Sequence, residues 1–296
     1  MQQGKDGMHR IWALGLALLL GATTPTVAEP FAKIRAQWNQ PQAPFRIIGN
    51  IYYVGTKELA VYLIRTPDGD ILIDGGLPEG AQLIERNIES LGVPLSALKT
   101  LLNSHAHFDH AGGLAKIKAD SGAKLYATAG DTPILERGYI TFGPSKTDHF
   151  PPIHVDHVLK DGEQVRLGGT VLTAHLTPGH TPGCTSWTIT VREAGRRYTV
   201  IDYCSTTVAG NPLVGNTEYP QIASDYAHSF AVLKHIKADV FLAPHASFYD
   251  PQKKLAKRRP GAANPFVDPD ELPRFVAASQ RDFEKELAKQ KAATAR

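Results

Sequence analysis

The six residues from His105 to His110, which read HAHFDH, constrain this chain more than any other stretch. Three imidazoles and one carboxylate stand close together, and a packed core offers no reason for this because buried polar groups need partners. His105 and His107 are two residues apart, so in an extended segment their side chains point the same way. Asp109 and His110 then turn toward a second position. The pattern predicts a metal centre.

Two further histidines extend the candidate set. His180 stands in the segment TPGHTPG and His245 in the segment PHA, each in a turn-rich stretch after an apolar run. Six histidine and aspartate ligands are too many for one tetrahedral zinc, but they suit two three-ligand sites with open positions, which are typical of catalysis. Six other histidines are interpreted as solvated or hydrogen-bonded residues outside the centre: His149, His154, His157, His175, His228 and His235.

Composition and the N-terminus indicate an exported globular protein. The 296 residues are 42% hydrophobic and carry a net charge of +3, without a basic run dense enough to indicate nucleic-acid binding. Lys5 and Arg10 precede the apolar run 11–21, which predicts a signal peptide over residues 1–28 and a single domain over 29–296. Export would place the mature protein in the periplasm. A retained membrane anchor is the alternative, although the apolar run is short for a bilayer.

The two cysteines flank a predicted hairpin. Strands are expected over residues 185–191 and 198–203, joined by the turn at 193–196. Folding this hairpin about residues 194–195 brings Cys184 opposite Cys204, or one residue from it. A Cys184–Cys204 disulfide is therefore predicted in the oxidising compartment that an exported protein reaches. Two buried free thiols are the alternative.

Hydrophobic periodicity divides the mature chain into two β-rich halves, each with helices. A proline- and glycine-rich segment over 135–156 is expected to be functional because it is long and structureless. Ser224 is expected to cap a helix over 225–237. The other predicted strands are 46–54, 59–66, 70–74, 100–103, 124–127, 164–167, 170–176 and 239–243, and the other predicted helices are 81–91, 113–119 and 269–289.

The motif HxHxDH, followed by a TPGH loop and by a histidine at a strand end, resembles the metallo-β-lactamase superfamily over essentially the whole mature chain. This resemblance implies an α/β fold, an αββα sandwich with a one- or two-zinc groove between its two sheets. The superfamily also contains glyoxalase II, ribonuclease Z, lactonases, sulfatases and flavodiiron proteins. The motif alone therefore does not fix the substrate.

Two other segments resemble the subclass B3 metallo-β-lactamases. Residues 38–45 resemble the first strand of that subclass, and residues 203–207 (YCSTT) resemble the segment after its hairpin. On this alignment Ser205 takes the place of a zinc-binding cysteine found in another subclass. The alternative is that Asp202 faces the groove, as does the metal-bridging aspartate of glyoxalase- and lactonase-type members. Asp74, after the third predicted strand, is expected to support the metal loop from beneath.

The resemblance implies a zinc-dependent β-lactamase that hydrolyses penicillins, cephalosporins and carbapenems through a metal-bound hydroxide. Asp109 would orient the hydroxide, and Ser205 and Thr207 would bind the substrate carboxylate, although Thr207 reads equally well as an ordinary loop residue. A hydrolase of lactones or thioesters is the alternative function, and a non-catalytic zinc-binding module is a third. The protein is expected to be a monomer. Two zinc ions per chain are implied, one held by His105, His107 and His180 and the other by Asp109, His110 and His245.

Overall fold

Two mixed β-sheets form the centre of the fold in a computed structural model that describes residues 32–294. In this part of the chain the first sheet has seven strands in sequence order, and the second has five in the order β12-β11-β10-β9-β8. The first sheet contains β1 (Phe45–Ile48), β2 (Ile51–Tyr53), β3 (Tyr62–Ile64), β4 (Asp70–Ile73), β5 (Leu98–Leu102), β6 (Lys124–Thr128) and β7 (His157–Leu159). The second contains β8 (Gln164–Leu167), β9 (Thr170–Leu176), β10 (Thr185–Glu193), β11 (Arg196–Asp202) and β12 (Val240–Leu242).

Helices cover the outer faces of both sheets. Helices α2 and α4 pack together on the first sheet, where α4 contacts β5, and helices α6 and α8 pack together on the second, where α8 contacts β12. This arrangement is the predicted αββα sandwich, and the predicted fold class is confirmed. The helices are α1 (Ala32–Trp38), α2 (Ala81–Ser90), α3 (Phe108–Ala111), α4 (Leu114–Ser121), α5 (Thr132–Arg137), α6 (Ile222–His235), α7 (Pro251–Ala256) and α8 (Glu271–Thr294). None of the helices between residues 32 and 294 is both long and apolar enough to cross a membrane.

Strand direction brings the candidate residues to one edge of the sandwich. Strands β4, β5 and β6 are parallel neighbours in the first sheet. In the second sheet β11 and β12 are parallel, and β9 runs the same way because both β9 and β11 are antiparallel to β10. The loops that follow these strands therefore meet where the carboxyl ends of both sheets come together, which is the usual position of a site in such folds.

The two cysteines form the predicted disulfide. Trp187 pairs with Asp202 across the β10–β11 hairpin, so Cys184 and Cys204 are one residue from direct opposition. They are bonded with their Cα atoms 5.9 Å apart, and both side chains are fully buried. The bond joins the end of the loop that carries His180 to the segment that carries Ser205.

Removing this disulfide is expected to destabilise the fold without altering its architecture. The two cysteines are separated by 20 residues, and the loss of loop-closure constraint in the unfolded chain is worth ~3 kcal/mol. The Cys184→Ala, Cys204→Ala double variant, which avoids burying a hydroxyl group, should show that loss in urea unfolding. An unfolding midpoint equal to that of the unsubstituted protein would contradict this prediction.

Three local predictions are wrong. The segment 46–54 forms two strands, because Gly49, with φ of +55°, turns the chain between β1 and β2. Helix α6 begins at Ile222, whose side chain is fully buried, so Ser224 lies inside the helix and donates to the carbonyl of Gln221 rather than capping. Residues 38–44 form no strand, since Trp38 ends α1 and β1 begins only at Phe45. The predicted signal peptide lies outside the described residues.

Candidate metal centre

Asp74 fixes the loop that carries the first candidate ligands. It follows β4 with a left-handed φ of +66°, a strained conformation that turns its carboxylate under the loop after β5. That carboxylate accepts hydrogen bonds from Asn103 Nδ2 at 2.9 Å, from the Ser104 amide at 2.7 Å and from the Ser104 hydroxyl at 2.6 Å. The Ser104 hydroxyl in turn accepts from His105 Nδ1 at 3.0 Å. This chain of bonds leaves His105 Nε2 available as a ligand atom.

His105, His107 and His180 form one compact group. Their candidate ligand nitrogens all lie within 4.8 Å of one another, and the three side chains are buried. His180 comes from the second sheet, and its Nδ1 donates to the carbonyl oxygen of Thr207 at 2.7 Å. That bond sets the tautomer of His180 and leaves its Nε2 free to bind a metal ion between the three imidazole rings.

Asp109, His110 and His245 form a second group beside the first. Asp109 Oδ2 lies 3.4 Å from His110 Nε2 and 3.5 Å from His245 Nε2. Helix α3 begins at Phe108, so Asp109 and His110 turn away from the extended segment of His105 and His107, as the sequence predicted. The other ring nitrogen of His245, Nδ1, lies 3.3 Å from Glu58 Oε1.

The two groups differ in charge. Burial lowers the pKa of each imidazole in the first group, that of His107 to about 4, so these three rings are neutral, which is the form that binds metal. Burial alone would raise the pKa of Asp109, but the charges and hydrogen bonds of His110 and His245 outweigh it and lower that pKa well below its usual value. The carboxylates of Asp109 and Asp74 outweigh the burial of His110 and raise its pKa to about 10, so a metal ion bound there would displace the His110 proton.

The donor set fits a pair of zinc ions. Three neutral imidazoles form one group, and one carboxylate with two imidazoles forms the other. Zinc accepts these ligand types, and three protein ligands leave open positions for water and substrate. In both groups outer partners such as Ser104, Thr207 and Glu58 occupy the ring nitrogens that point away from the shared space. Such partners orient metal ligands.

The six side chains lie at one groove. Five of them line its wall, and His110 lies behind the lining. The groove has a volume of about 270 Å³. Its remaining walls include Trp38, Phe108, Phe248 and Ser145, which the sequence did not predict as site residues. Ser145 belongs to the long segment 135–156, for which a functional role was expected. Trp38 packs edge-on against His245 with ring centroids 5.3 Å apart.

Ser205, and not Asp202, lines the groove. The hydroxyl groups of Ser205 and Thr207 lie 3.0 Å apart on its wall. Asp202 is 2% exposed and is absent from the groove lining, and neither of its carboxylate oxygens has a hydrogen-bond partner among residues 32–294. Burial, together with the nearby charge of Asp74, raises the pKa of Asp202 well above its usual value. This placement agrees with the alignment that puts Ser205 at the site.

The six histidines that were set aside lie outside both groups. His154 and His157 are exposed and pair with Glu136 and Glu163. His175 is half-buried on β9, where its Nε2 lies 2.7 Å from the Thr188 hydroxyl. The other three belong to neither group: His149, His228 and His235.

The chain is similar to known proteins over most of its length. The sequence model of the metallo-β-lactamase superfamily matches residues 59–193. The structure of a subclass B3 metallo-β-lactamase of Bradyrhizobium japonicum has a TM-score of 0.83 and 46% identity, over 87% of this chain and 98% of that chain. A native metallo-β-lactamase from Legionella gormanii has a TM-score of 0.82 and 45% identity, over 85% of this chain and 98% of that chain.

A curated protein that is not named as a β-lactamase also matches part of the chain. The hydroxyacylglutathione hydrolase of Methylobacterium nodulans is 28% identical over 130 residues, which is 42% of this chain and 44% of that protein. The chain thus spans less than half the length of this curated relative.

Proposed function

Because this chain belongs to the metallo-β-lactamase superfamily of hydrolases, with subclass B3 enzymes among its structural relatives, we propose that it hydrolyses the amide bond of β-lactam antibiotics. The proposed substrates are penicillins, cephalosporins and carbapenems, and the proposed cofactors are two zinc ions per chain. The observation that carries this proposal is one groove shared by two metal-ligand groups and by the hydroxyls of Ser205 and Thr207. We further propose that the protein acts as an exported periplasmic monomer and confers antibiotic resistance.

Each group of ligands has its own part in this proposal. His105, His107 and His180 would hold one ion, and Asp109, His110 and His245 would hold the other. Zinc bound there would act as a Lewis acid toward the lactam carbonyl and would make water a nucleophile near neutral pH. The buried carboxylate of Asp109 would, in addition to binding its ion, orient the attacking water.

Ser205 and Thr207 would bind the substrate carboxylate, the anionic group that β-lactams share. Their hydroxyls lie 3.0 Å apart, and the Thr207 amide also donates to Ser205 Oγ at 3.2 Å. This local network orients the Ser205 hydroxyl toward the groove without bonding it to a general base. A donor in that position suits binding and gives no support to a serine nucleophile.

Ser205→Ala is expected to raise KM more than it lowers kcat. The substitution removes one hydrogen bond to a charged group, worth about 1.5–3 kcal/mol, and that bond is the same in the ground and transition states. The expected loss in kcat/KM is therefore roughly 10- to 150-fold, at about 1.4 kcal/mol per factor of ten. Steady-state kinetics with a chromogenic cephalosporin measure this loss, and an unchanged KM would contradict the assignment.

Asp202→Asn serves as the matched control in the same segment. Because Asp202 is buried away from the groove lining, its amide variant should keep the zinc content of the unsubstituted protein. Loss of zinc in Asp202→Asn, together with a silent Ser205→Ala, would mean that Asp202 is the groove residue.

A hydrolase of thioesters or lactones is the second candidate function. The partial match to a hydroxyacylglutathione hydrolase favours it, as does a 27% identical match over 168 residues to an N-acyl homoserine lactonase of Bacillus thuringiensis. Parallel assays with a penicillin, a carbapenem, an acyl-glutathione thioester and an acyl lactone separate the two. We expect turnover of the β-lactams, whereas efficient turnover of the thioester or lactone alone would favour the second candidate.

A further inference from the structure

One buried carboxylate connects the two loops that carry the three-histidine group. Asp131 follows β6 and is 2% exposed. Its Oδ2 accepts hydrogen bonds from the Ala106 amide at 2.8 Å and from the Thr181 hydroxyl at 2.9 Å. Its Oδ1 accepts from the Gly183 amide at 2.7 Å. Asp131 thus bonds to a loop of each sheet.

The position of Asp131 in the sequence suggests a different role. It stands immediately before α5, where an aspartate side chain usually caps the amides of its own helix. Here the side chain makes no such bond. Only its backbone carbonyl accepts from the helix, from the Ile134 and Leu135 amides at 3.0 and 2.9 Å. The start of the helix therefore fixes the backbone of Asp131, while its carboxylate, within the described part of the chain, bonds only to the two loops.

The bonded residues are the direct neighbours of candidate ligands. Ala106 lies between His105 and His107 in the chain, and Thr181 follows His180. The His180 loop also packs tightly against Asp131, since a Cβ atom on Gly183 would lie 2.3 Å from the Asp131 amide nitrogen. Asp131 is therefore the side chain that bonds the backbone between His105 and His107 to the His180 loop, beside a backbone bond from the Thr185 amide to the Ser104 carbonyl at 2.8 Å.

We propose that Asp131 is a positioning residue that holds His180 against His105 and His107 and thereby sets the affinity of the three-histidine group for a divalent cation. The inference rests on the proposed metal centre, but it concerns a residue outside both ligand groups. No other side chain described between residues 32 and 294 has hydrogen bonds to both Ala106 and the His180 loop.

The test is the zinc affinity of Asp131→Asn, measured without substrate. Asparagine keeps the shape of the side chain but has one acceptor oxygen, so the amide of Ala106 or of Gly183 loses its partner. The test uses a His245→Ala background. This substitution removes one ligand of the second group, so only the three-histidine group keeps all of its candidate ligands. In that background, titration against a chromophoric zinc chelator should show that Asp131→Asn weakens zinc affinity about 10–100-fold relative to the His245→Ala parent. This is the range typical for partners of metal ligands.

Two isosteric variants distinguish positioning from general loosening. Thr128→Val removes a 2.7 Å bond from the Thr128 hydroxyl to the Gly183 carbonyl. This bond also holds the His180 loop, but it does not involve Ala106. Thr128→Val should therefore leave zinc affinity unchanged. Thr181→Val removes a single donor to Asp131 and should weaken zinc binding by less than Asp131→Asn does. If Asp131→Asn fails to fold, Thr181→Val decides the question.

Zinc binding by Asp131→Asn as tight as in the parent would overturn the inference. So would a Thr128→Val variant that weakens binding as much as Asp131→Asn, or, where Asp131→Asn does not fold, a Thr181→Val variant with parental affinity. Failure of the unsubstituted protein to hydrolyse β-lactams would contradict the proposed function alone, because zinc affinity is measured here in the absence of substrate.

Discussion

Replacing His180 by alanine is expected to lower the rate of β-lactam hydrolysis by more than about 100-fold, because even partners outside the ligand set are worth 10–100-fold. His180 provides the only candidate ligand of the three-histidine group that comes from the second sheet. Its loss would leave two ligands for that ion. Steady-state kinetics and metal analysis of the purified variant measure both effects.

The fold of the His180→Ala variant should remain intact. The loop around residue 180 is held independently by Asp131 and by the bond from the Thr177 amide to the Cys184 carbonyl at 2.9 Å. His175→Ala is the matched control, since it removes a half-buried imidazole from the adjacent strand, outside the groove. We expect His175→Ala to keep its activity. A His180→Ala variant with undiminished hydrolysis would contradict the ligand assignment.

Removing the metal is expected to abolish hydrolysis altogether. Of the groove hydroxyls, those of Ser145 and Ser205 have no hydrogen bond to a histidine or a carboxylate of residues 32–294. The Thr207 hydroxyl lies 3.3 Å from His180 Nδ1, but that nitrogen donates to the Thr207 carbonyl and so cannot act as a base. Without such a base, catalysis by a side-chain nucleophile has no support. Hydrolysis should therefore stop in the presence of EDTA and should be indifferent to clavulanate-type inhibitors that trap a serine nucleophile.

The candidate ligands could be predicted from the sequence because their signal is local. HAHFDH places four potential ligands within six residues, and the structure assigns the first two histidines to one group and Asp109 and His110 to the other. His180 and His245 could be added because each follows an apolar strand and a sharp turn. The disulfide could be predicted for a similar reason, because the turn of a hairpin fixes which residues of its two strands face each other.

Apart from Asp74, Ser205 and Thr207, which the family resemblance indicated, the side chains that support and surround the ligands could not be predicted in the same way. Asp131 has the sequence signature of an ordinary helix cap, and only the packing of the two sheets shows that it bonds to both ligand loops. Trp38 lies 67 residues from His105 and contacts the groove only because α1 folds across it. These roles depend on contacts between segments that are distant in the chain, and no periodicity or spacing encodes them.

Two wrong boundaries have a different cause, which is competition between local preferences. Residues 46–54 are almost continuously apolar and are rich in β-branched and aromatic residues, a pattern that predicts one strand. The Gly49-Asn50 dipeptide inside this segment is typical of hairpin turns and predicts two. Ser224 favours a helix start, but burial of Ile222 against the core extends α6 by three residues beyond the predicted start at 225. At Gly49 the local turn signal prevails, whereas at Ser224 the burial of Ile222 decides where the helix begins.

The most direct test of the proposed function is carbapenem hydrolysis by metal-free protein that is titrated with zinc while bound metal is measured. We predict no hydrolysis without metal, an increase with added zinc up to two bound ions per chain, and complete loss when EDTA is added. Hydrolysis by protein that contains no metal would contradict the account. So would protein loaded with two zinc ions that hydrolyses no β-lactam.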